Sequence, residues 1–208
     1  MSLAYNTQFS RFGYGYRNKE GDAVLQTRPE GVADIWSCYQ YITSDAAKAA
    51  QDTLRAMRDR ASHKECGDFK KLNFRSVTFR GIFDSRRASA LTQLSPYIVV
   101  DIDGLHSEEE AHALVRQLSA DPLVETALAF VSPSGRGSKW VVETPAWIKN
   151  QSYKEQYLGL CRHVVLQYGY EPDWGCSDIC RACFLGHDAQ CFVNDKYNPS
   201  HTLVIVKK

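Results

Sequence analysis

The regular alternation of apolar and polar residues begins at residue 97 and continues to residue 193. Residues 97–102 form an apolar, β-branched run that predicts a buried strand. Ser107 and Glu110 have the spacing of a capping box, which predicts the start of a helix. The apolar face of that helix consists of Ala111, Leu114, Val115 and Leu118. Asp121 and Pro122 then predict its end.

Two further strands and a second helix follow. Residues 124–131 and 140–142 predict strands, joined by the loop SPSGRGSK at residues 132–139. Residues 152–168 predict a helix that ends at Gly169, and a last strand is predicted near residues 190–193. The order is βαββαβ, the split βαβ arrangement, which forms a four-stranded antiparallel sheet backed by two helices. In that topology the first and third strands are neighbours at the centre of the sheet.

The first 95 residues have weaker patterns and are expected to form an N-terminal α/β lobe. Residues 45–61 carry apolar residues at helical spacing behind Ser44, a suitable N-cap, and predict a helix. Residues 35–42 give the best of several weak strand signals. Phe74, Val77 and Phe79 alternate with basic and polar residues, which predicts a strand that leads into a basic segment. The expected organisation is a lobe at residues 1–95 and a module at residues 96–208, joined as one compact two-lobed domain.

Composition narrows the possible functions only slightly. With 208 residues, 44% of them hydrophobic, the chain can bury a substantial core. Its 25 basic and 24 acidic residues nearly cancel, so any nucleic-acid partner must be recognised by local patches. No secretory signal or long apolar run is present, and the default expectation is a cytoplasmic protein. Seven cysteines, an odd number, favour reduced thiols or metal ligands over disulfides.

Asp101 and Asp103 form the first group of residues that could carry chemistry. Side chains two residues apart on a strand share a face, so both carboxylates could bind one divalent cation. Alternatively, one aspartate caps the following turn and the other is solvated. Two-metal phosphoryl transfer also needs a third carboxylate, which Asp173 or Asp178 could supply.

The loop at residues 132–139 is the second group. Gly135 and Gly137 allow backbone N–H groups to turn toward an anion, and the loop adds hydroxyl donors and positive charge. The side chains concerned are Ser132, Ser134, Ser138, Arg136 and Lys139. The loop could hold a triphosphate, or it could be a plain hairpin connection. It does not match the Walker A pattern.

Residues 173–188 are the third group, and a basic segment precedes all three. Arg181 could pair with a carboxylate or a phosphate. A zinc site is possible at Cys176, Cys180, Cys183 and Cys191, but their spacing lacks paired CxxC motifs, so structural thiols are favoured.

The basic segment is either an ordinary solvated surface or a nucleic-acid track. Its residues are Lys70, Lys71, Arg75, Arg80, Arg86 and Arg87.

The order of these motifs is more specific than any one of them. VVDID, then SPSGRGSK, then PDWGCSDICRACFLGHD resembles the catalytic domain of archaeo-eukaryotic-type primases and primase-polymerases. Within that superfamily the chain looks like the primase-like N-terminal domain of VirE-type proteins of bacterial mobile elements. The resemblance covers about residues 65–195 and implies an RRM-like catalytic module.

The resemblance also implies roles for individual residues. Two Mg²⁺ or Mn²⁺ ions would be held by Asp101, Asp103 and Asp173. The triphosphate would be held by Ser132, Ser134, Gly135, Arg136, Gly137, Lys139 and Arg181. The second motif of the superfamily usually ends in a histidine, and Lys139 stands in that place here. Lysine can donate to phosphate but cannot act as a neutral imidazole, so nucleotide binding is better supported than catalysis.

The function implied is nucleotidyl transfer from a nucleoside triphosphate to a primer or an initiating nucleotide on single-stranded DNA. The template would cross an open sheet face or the basic N-terminal lobe, through Lys71, Arg75, Arg80 and Arg87. A helicase or another replication domain is a possible further partner. Two alternatives are an inactive module that binds nucleotide or single-stranded nucleic acid, and a metal-dependent phosphoesterase.

Overall fold

A computed structural model describes residues 7–202 of the chain. The strands are β1 Phe9–Phe12, β2 Tyr16–Arg17, β3 Ala23–Val24, β4 Gly31–Ala33, β5 Ser76–Thr78, β6 Gly81–Phe83, β7 Leu91–Leu94, β8 Tyr97–Asp103, β9 Thr126–Val131, β10 Gly137–Glu143, β11 Cys183–Phe184 and β12 Phe192–Val193. The α-helices are α1 Ile35–Thr43, α2 Lys48–Arg58, α3 His63–Asn73, α4 Glu108–Ser119, α5 Tyr153–Tyr168 and α6 Pro199–Thr202. The protein is therefore a mixed α/β structure with antiparallel sheets.

The sheet of the second half has the strand order β12-β9-β10-β8, with antiparallel neighbours throughout. The first strand, β8, lies beside the third, β10, as predicted. However, β8 is at the edge of the sheet and not at its centre, because β12 pairs with β9. The connection after α5 explains this difference: it passes the end of β8 and then pairs as β11 with β5 of the other sheet. It returns as β12 on the far side.

Both faces of this sheet are covered. Residues 98, 100 and 102 of β8 face α4 and α5, where they join Trp140, Leu114 and Leu160 in one core. The opposite face packs against α1 and the first-half sheet, whose order is β11-β5-β1-β4, and every residue of β9 is buried. α1 and the first-half sheet therefore pack over a face that was expected to be open to a template strand, and they leave it accessible at the end of β8.

The first half contains two helices that its sequence did not predict. Residues 35–42, expected to be a strand, lie in α1, because Asp34 caps the helix through a capping box with Ser37. Ile35, Cys38 and Ile42 then fall on one buried helical face. The other helix, α3, begins with a capping box and includes Lys70 and Lys71 of the basic segment. It has no fully buried residue, so its apolar pattern is weak.

The remaining predicted helices are confirmed, with small shifts at their ends. Ser44 caps a 3₁₀ turn at Asp45–Ala47 that leads directly into α2. Ser107 caps α4, and the four predicted apolar residues of that helix are all buried. Gly169 ends α5 with a φ of 73°, a left-handed conformation that glycine adopts without strain. Among the described residues, no helix is long and apolar enough to cross a membrane.

Candidate functional site

A cavity of about 440 Å³ brings together residues from all three predicted motifs. It lies at the end of β8, on the sheet face that is turned toward the first half of the chain. Its lining includes Asp101, Asp103, Ser132, Ser134, Lys139, Asp173 and Arg181. Lys70, Lys71 and Arg86 from the first half line it as well. Motifs that are more than 70 residues apart in sequence therefore share one cavity.

The pairing of β8 with β10 sets the geometry of the acidic edge. Lys139 lies opposite Asp101, and Gly137 lies opposite Asp103. Side chains that are directly opposite on antiparallel strands share a face, and the Lys139 ammonium group forms an ion pair with the Asp101 carboxylate. A Cβ atom at position 137 would lie 2.5 Å from Asp103 Oδ1 and 2.8 Å from the Ile102 carbonyl oxygen. Glycine is thus required at position 137 for the two strands to approach at this point.

The charges of this edge are strongly coupled. Burial alone would lower the pKa of Lys139, but the negative charges of Asp101 and Asp103 outweigh it and raise the pKa above its ordinary value. Burial of the Asp103 carboxyl group raises the pKa of this aspartate, Lys139 opposes the shift, and Asp101 adds to it. Asp101 Oδ1 is buried without a hydrogen-bond partner. The edge thus holds more negative charge than the single ammonium group of Lys139 neutralises.

Asp173 approaches this edge through its backbone. Its N–H donates to the Asp101 carbonyl oxygen at 2.8 Å, and its own carbonyl oxygen accepts from the Tyr157 hydroxyl at 2.6 Å. Its carboxylate caps a short 3₁₀ turn, accepting from the Gly175 N–H at 2.9 Å and from the Cys176 thiol at 3.0 Å. These hydrogen bonds hold the pKa of Asp173 below its usual value, and the bond from the Cys176 thiol makes the largest contribution.

Arg181 is connected to Asp173 through the same thiol. Its guanidinium group lies 2.9 Å from Cys176 Sγ and 3.7 Å from Asp173 Oδ2. The side chain is 46% exposed and lines the cavity. The guanidinium group can therefore reach an anion in the cavity while the Cys176 thiol keeps it beside Asp173.

The acidic edge has suitable donors for a hard divalent cation, but they do not form a complete metal centre. Asp101 and Asp103 provide carboxylate oxygens, and the partnerless Oδ1 of Asp101 is a free ligand atom. Asp173, in contrast, uses both of its carboxylate oxygens in hydrogen bonds. Within residues 7–202, no three His, Cys, Asp or Glu side chains are arranged to hold a metal ion. The residues fit a cation held by Asp101 and Asp103, and Asp173 would have to leave its cap to join them.

The four cysteines considered for zinc are all buried free thiols. Burial, with the neighbouring carboxylates adding to it, raises the pKa of Cys176 to about 12 and that of Cys180 to about 11. Burial also raises the pKa of Cys183 to about 12. Cys183 and Cys191 lie close to the backbone carbonyl oxygens of the residues that follow them.

The loop between β9 and β10 is held by α2, a contact that the sequence did not indicate. The turn closes with a hydrogen bond of 2.9 Å from the Gly135 N–H to the Ser132 carbonyl oxygen, and Gly135 has a φ of 74°. Arg58 donates to the Ser134 carbonyl oxygen at 2.5 Å. Arg55 donates to the Pro133 carbonyl oxygen at 3.5 Å and pairs with Glu108 at 2.7 Å. The sequence signal for this contact was the pair Arg55 and Arg58, which are three residues apart in the predicted helix and so share one face of it.

The structure differs from the prediction in the length of this loop and in the positions of Ser138 and Arg136. β10 already begins at Gly137, so the loop is shorter than residues 132–139. Ser138 is buried and donates to the Ala111 carbonyl oxygen at 3.0 Å. Arg136 does not line the cavity with Asp101 and Lys139; it lies 3.7 Å from Asp59 and lines a neighbouring cavity.

The predicted nucleic-acid residues are dispersed. Lys71 lines the main cavity and pairs with Asp68 at 2.9 Å, and Arg87 is exposed. Arg75 lies 3.8 Å from Glu30. Arg80 is only 6% exposed, because its guanidinium group donates to Thr144 and Gln156, both at 2.9 Å. A surface contact through Arg80 is therefore not expected, while Lys70 and Arg86, which were noted only as part of the basic segment, face the cavity.

Comparison with known proteins identifies one family. Residues 69–192 match the family model described as BT4734-like, N-terminal domain. No curated protein and no solved structure matched the chain. The matched region includes every residue of the three motifs and most of the cavity lining. Because the match extends over more than half of the 208 residues, the chain belongs to the BT4734-like N-terminal domain family.

Proposed function

We propose that this protein is a metal-dependent nucleotidyltransferase of the primase-polymerase type. The observation that carries the proposal is the convergence of the three motifs on one cavity, with carboxylates on one edge and basic residues around it. The order of these motifs resembles that of archaeo-eukaryotic-type primases. A hard-cation edge beside a cationic wall is the arrangement that phosphoryl transfer requires, because the substrate brings several negative charges to the cation.

The basic residues would bind the triphosphate of the incoming nucleotide. Arg181 has a planar fork of donors that suits phosphate oxygens, and Lys70, Lys71 and Arg86 add positive charge from the first half of the chain. Ser132 and Ser134 contribute hydroxyl groups, which lie 3.0 Å apart. Lys139 is already paired with Asp101, so its main effect would be to moderate the negative charge of the acidic edge.

Asp101 and Asp103 would hold Mg²⁺ or Mn²⁺, with Asp173 as a third ligand. A bound cation would supply charge neutralisation at the α-phosphate and the leaving pyrophosphate. In the transfer itself, an acceptor hydroxyl oxygen forms a bond to the α-phosphorus, and the bond from that phosphorus to the α,β-bridging oxygen breaks. Pyrophosphate leaves with the electron pair, and the hydroxyl proton passes to solvent. The protein residues orient the triphosphate and exclude competing geometries.

One observation favours a second candidate, an inactive nucleotide-binding relative. The Lys139 ammonium group already pairs with Asp101, at the carboxylate where a cation would bind. Such a protein would bind a nucleoside triphosphate without transferring it. A sheet that reads single-stranded nucleic acid by stacking gains no support, because both faces of the β12-β9-β10-β8 sheet are covered in the described structure.

The first prediction separates these functions by changing Asp103. We expect Asp103→Asn to reduce Mn²⁺-dependent nucleotide incorporation on a primed single strand by at least 100-fold, since a metal ligand is lost. This variant keeps the ion pair of Lys139 with Asp101, whereas Asp101→Ala would leave a buried ammonium group unpaired and destabilise the fold. Circular dichroism checks that the variant is folded.

Titration calorimetry with a nucleoside triphosphate and Mn²⁺ completes the test. Binding together with incorporation supports the transferase, and binding without incorporation by the wild-type protein supports the inactive relative. If no triphosphate binds, the cavity has another substrate and both proposals fail; a phosphoesterase would then be the next hypothesis. Undiminished incorporation by Asp103→Asn would remove Asp103 from the metal site.

A further inference from the structure

A second cavity, of about 390 Å³, adjoins the first. The two share His63, Lys70, Asp103 and Ser134 in their linings. Asp103, a carboxylate assigned above to the cation, therefore stands where the two cavities meet. A transfer reaction needs two substrates that meet at the reacting phosphorus, and one cavity on each side of the cation satisfies that requirement.

The lining of the second cavity has an apolar part and a cationic part. Ala61, in the turn between α2 and α3, and Cys66 of α3 offer apolar surface, and the buried Leu54 of α2 lies beneath them. Arg58, Arg136 and Lys70 supply positive charge. Cations that contact backbone phosphates bind a nucleic-acid strand without reading its sequence, and the apolar surface beside them can cover a sugar or a base.

Arg136 is the cation of this cavity that is best placed to contact a ligand. Its side chain is 47% exposed, and its ion pair with Asp59, itself 65% exposed, has a distance of 3.7 Å. Exposed pairs of this kind contribute little free energy, so a phosphate group can replace Asp59 as the partner. Arg58 has a different role, because its hydrogen bond to the Ser134 carbonyl oxygen holds the wall between the cavities.

We propose that the second cavity is the acceptor subsite, which binds the 3′ end of a nucleic-acid strand with its terminal hydroxyl toward Asp103. This proposal rests on the proposed function, since the acceptor supplies the hydroxyl oxygen that attacks the α-phosphorus. Arg136 contacts a backbone phosphate of the strand, and the terminal nucleotide packs on the surface made by Ala61 and Cys66. The incoming triphosphate remains in the first cavity, beside Lys70 and Arg181.

The first experiment measures strand binding and nucleotide binding separately. We expect Arg136→Glu to weaken binding of a fluorescent single-stranded oligonucleotide at least tenfold, measured by anisotropy at low salt. Binding of a nucleoside triphosphate, measured by calorimetry, should change less than twofold. Arg116→Glu is the matched control: Arg116 is an exposed residue of α4 that lines neither cavity, and its replacement changes the net charge equally. Oligonucleotide binding by this control should change less than twofold.

Cys66 provides an independent probe of the cavity. It is the only one of the seven cysteines that is not buried, so a thiol reagent should modify it first in the folded protein. We expect a saturating oligonucleotide with a free 3′ hydroxyl to slow alkylation of Cys66 at least fivefold. A nucleoside triphosphate alone should leave the alkylation rate unchanged, and Arg136→Glu should abolish protection by the same concentration of oligonucleotide.

Three results would overturn the proposal: equal oligonucleotide binding by Arg136→Glu and the wild-type protein, an equal loss in Arg116→Glu, or no protection of Cys66. Failure of the proposed function looks different. In that case no triphosphate is bound or incorporated, whatever the strand does at Cys66. A strand that binds and protects Cys66 without any incorporation would support the subsite as a strand-binding site and reject the transferase.

Discussion

At the scale of single residues, Lys139 decides the electrostatics of the site. It is largely buried beside two carboxylates, and its ion pair with Asp101, together with the charge of Asp103, compensates for the loss of hydration. The sequence singled out Lys139 as a departure from a superfamily pattern, but it did not identify Asp101 as the partner of this lysine. Pairing across β8 and β10 determines that partner, because register places residue 139 opposite residue 101.

A substitution of Lys139 should therefore affect stability as well as function. We expect Lys139→Met to lower the free energy of unfolding by about 3 kcal/mol, because it leaves the partly buried Asp101 carboxylate without a cation. The double variant Asp101→Asn with Lys139→Met should recover part of this loss, since no uncompensated charge remains. Urea denaturation measures both values.

Lys154→Met is the control for this experiment, because Lys154 is an exposed residue of α5. It should change the free energy of unfolding by less than about 0.5 kcal/mol. A loss for Lys139→Met as small as that of the control would mean that the ion pair with Asp101 contributes nothing to the folded state.

Other residues show the limit of interpretation from residue type alone. Arg80 and Arg136 are both arginines in polar, basic stretches, and both were assigned to surface or ligand contacts. Arg80 is buried against Thr144 and Gln156, and its guanidinium group lies 5.1 Å from the centre of the Tyr153 ring. Arg136 turns toward the second cavity. The direction of a long side chain depends on neighbours that are distant in sequence, so spacing could not predict either position.

At the scale of elements, α2 fixes the position of the loop at residues 132–136. Arg55 connects this loop to the first turn of α4 through Glu108, so three elements meet at one side chain. A Cβ atom at position 135 would also lie 3.3 Å from Arg55 Nε, which leaves little room for any other residue there. The sequence predicted the helix, and it predicted the loop with an end three residues too late, but their contact was not predictable from either pattern.

Removing Arg55 should loosen the loop. We expect Arg55→Met to increase hydrogen exchange at the Gly135 amide about fivefold, since the lost contact to Pro133 is long and a typical hydrogen bond contributes about 1 kcal/mol. The same variant should weaken triphosphate binding in calorimetry, while the helices α4 and α5 keep their protection.

Arg60→Met serves as the comparison, because Arg60 is an exposed residue just after α2 and lines neither cavity. Hydrogen exchange at the Gly135 amide in Arg60→Met should match that of the wild-type protein. Unchanged exchange in Arg55→Met would show that the loop holds its shape without α2.

At the scale of the whole molecule, the two halves of the chain share a hydrophobic core. The centre of the Phe9 ring in β1 lies 4.8 Å from the centre of the Phe79 ring and 5.9 Å from the centre of the Tyr97 ring. Tyr97 is the first residue of β8. The same core includes Leu128 and Phe130 of β9. The first half therefore covers one face of the second-half sheet, and it also supplies the basic wall of the candidate site.

This shared core predicts that the two halves unfold together. We expect Phe9→Ala to lower the free energy of unfolding by about 3 to 5 kcal/mol, because Phe9 is fully buried. The backbone amides of β1 and of β9 should lose protection from hydrogen exchange to the same extent. Leu166→Ala, at a residue that is 80% exposed, should leave both strands unchanged. A loss confined to β1 would indicate that the halves are independent domains.

The sequence alone determined the elements whose pattern is local: α4 with its serine cap, α5 with its terminal glycine, β8, β9 and β10, and the residues of the three motifs. Capping and apolar periodicity depend on neighbours within a few positions, so they can be read along the chain. Tertiary structure decided the rest. It placed β12 beside β9 and β8 at the edge, and it covered the sheet face. It also joined Lys139 to Asp101 and directed Arg136 into a second cavity. These features depend on contacts between residues that are far apart in sequence, which no local pattern encodes.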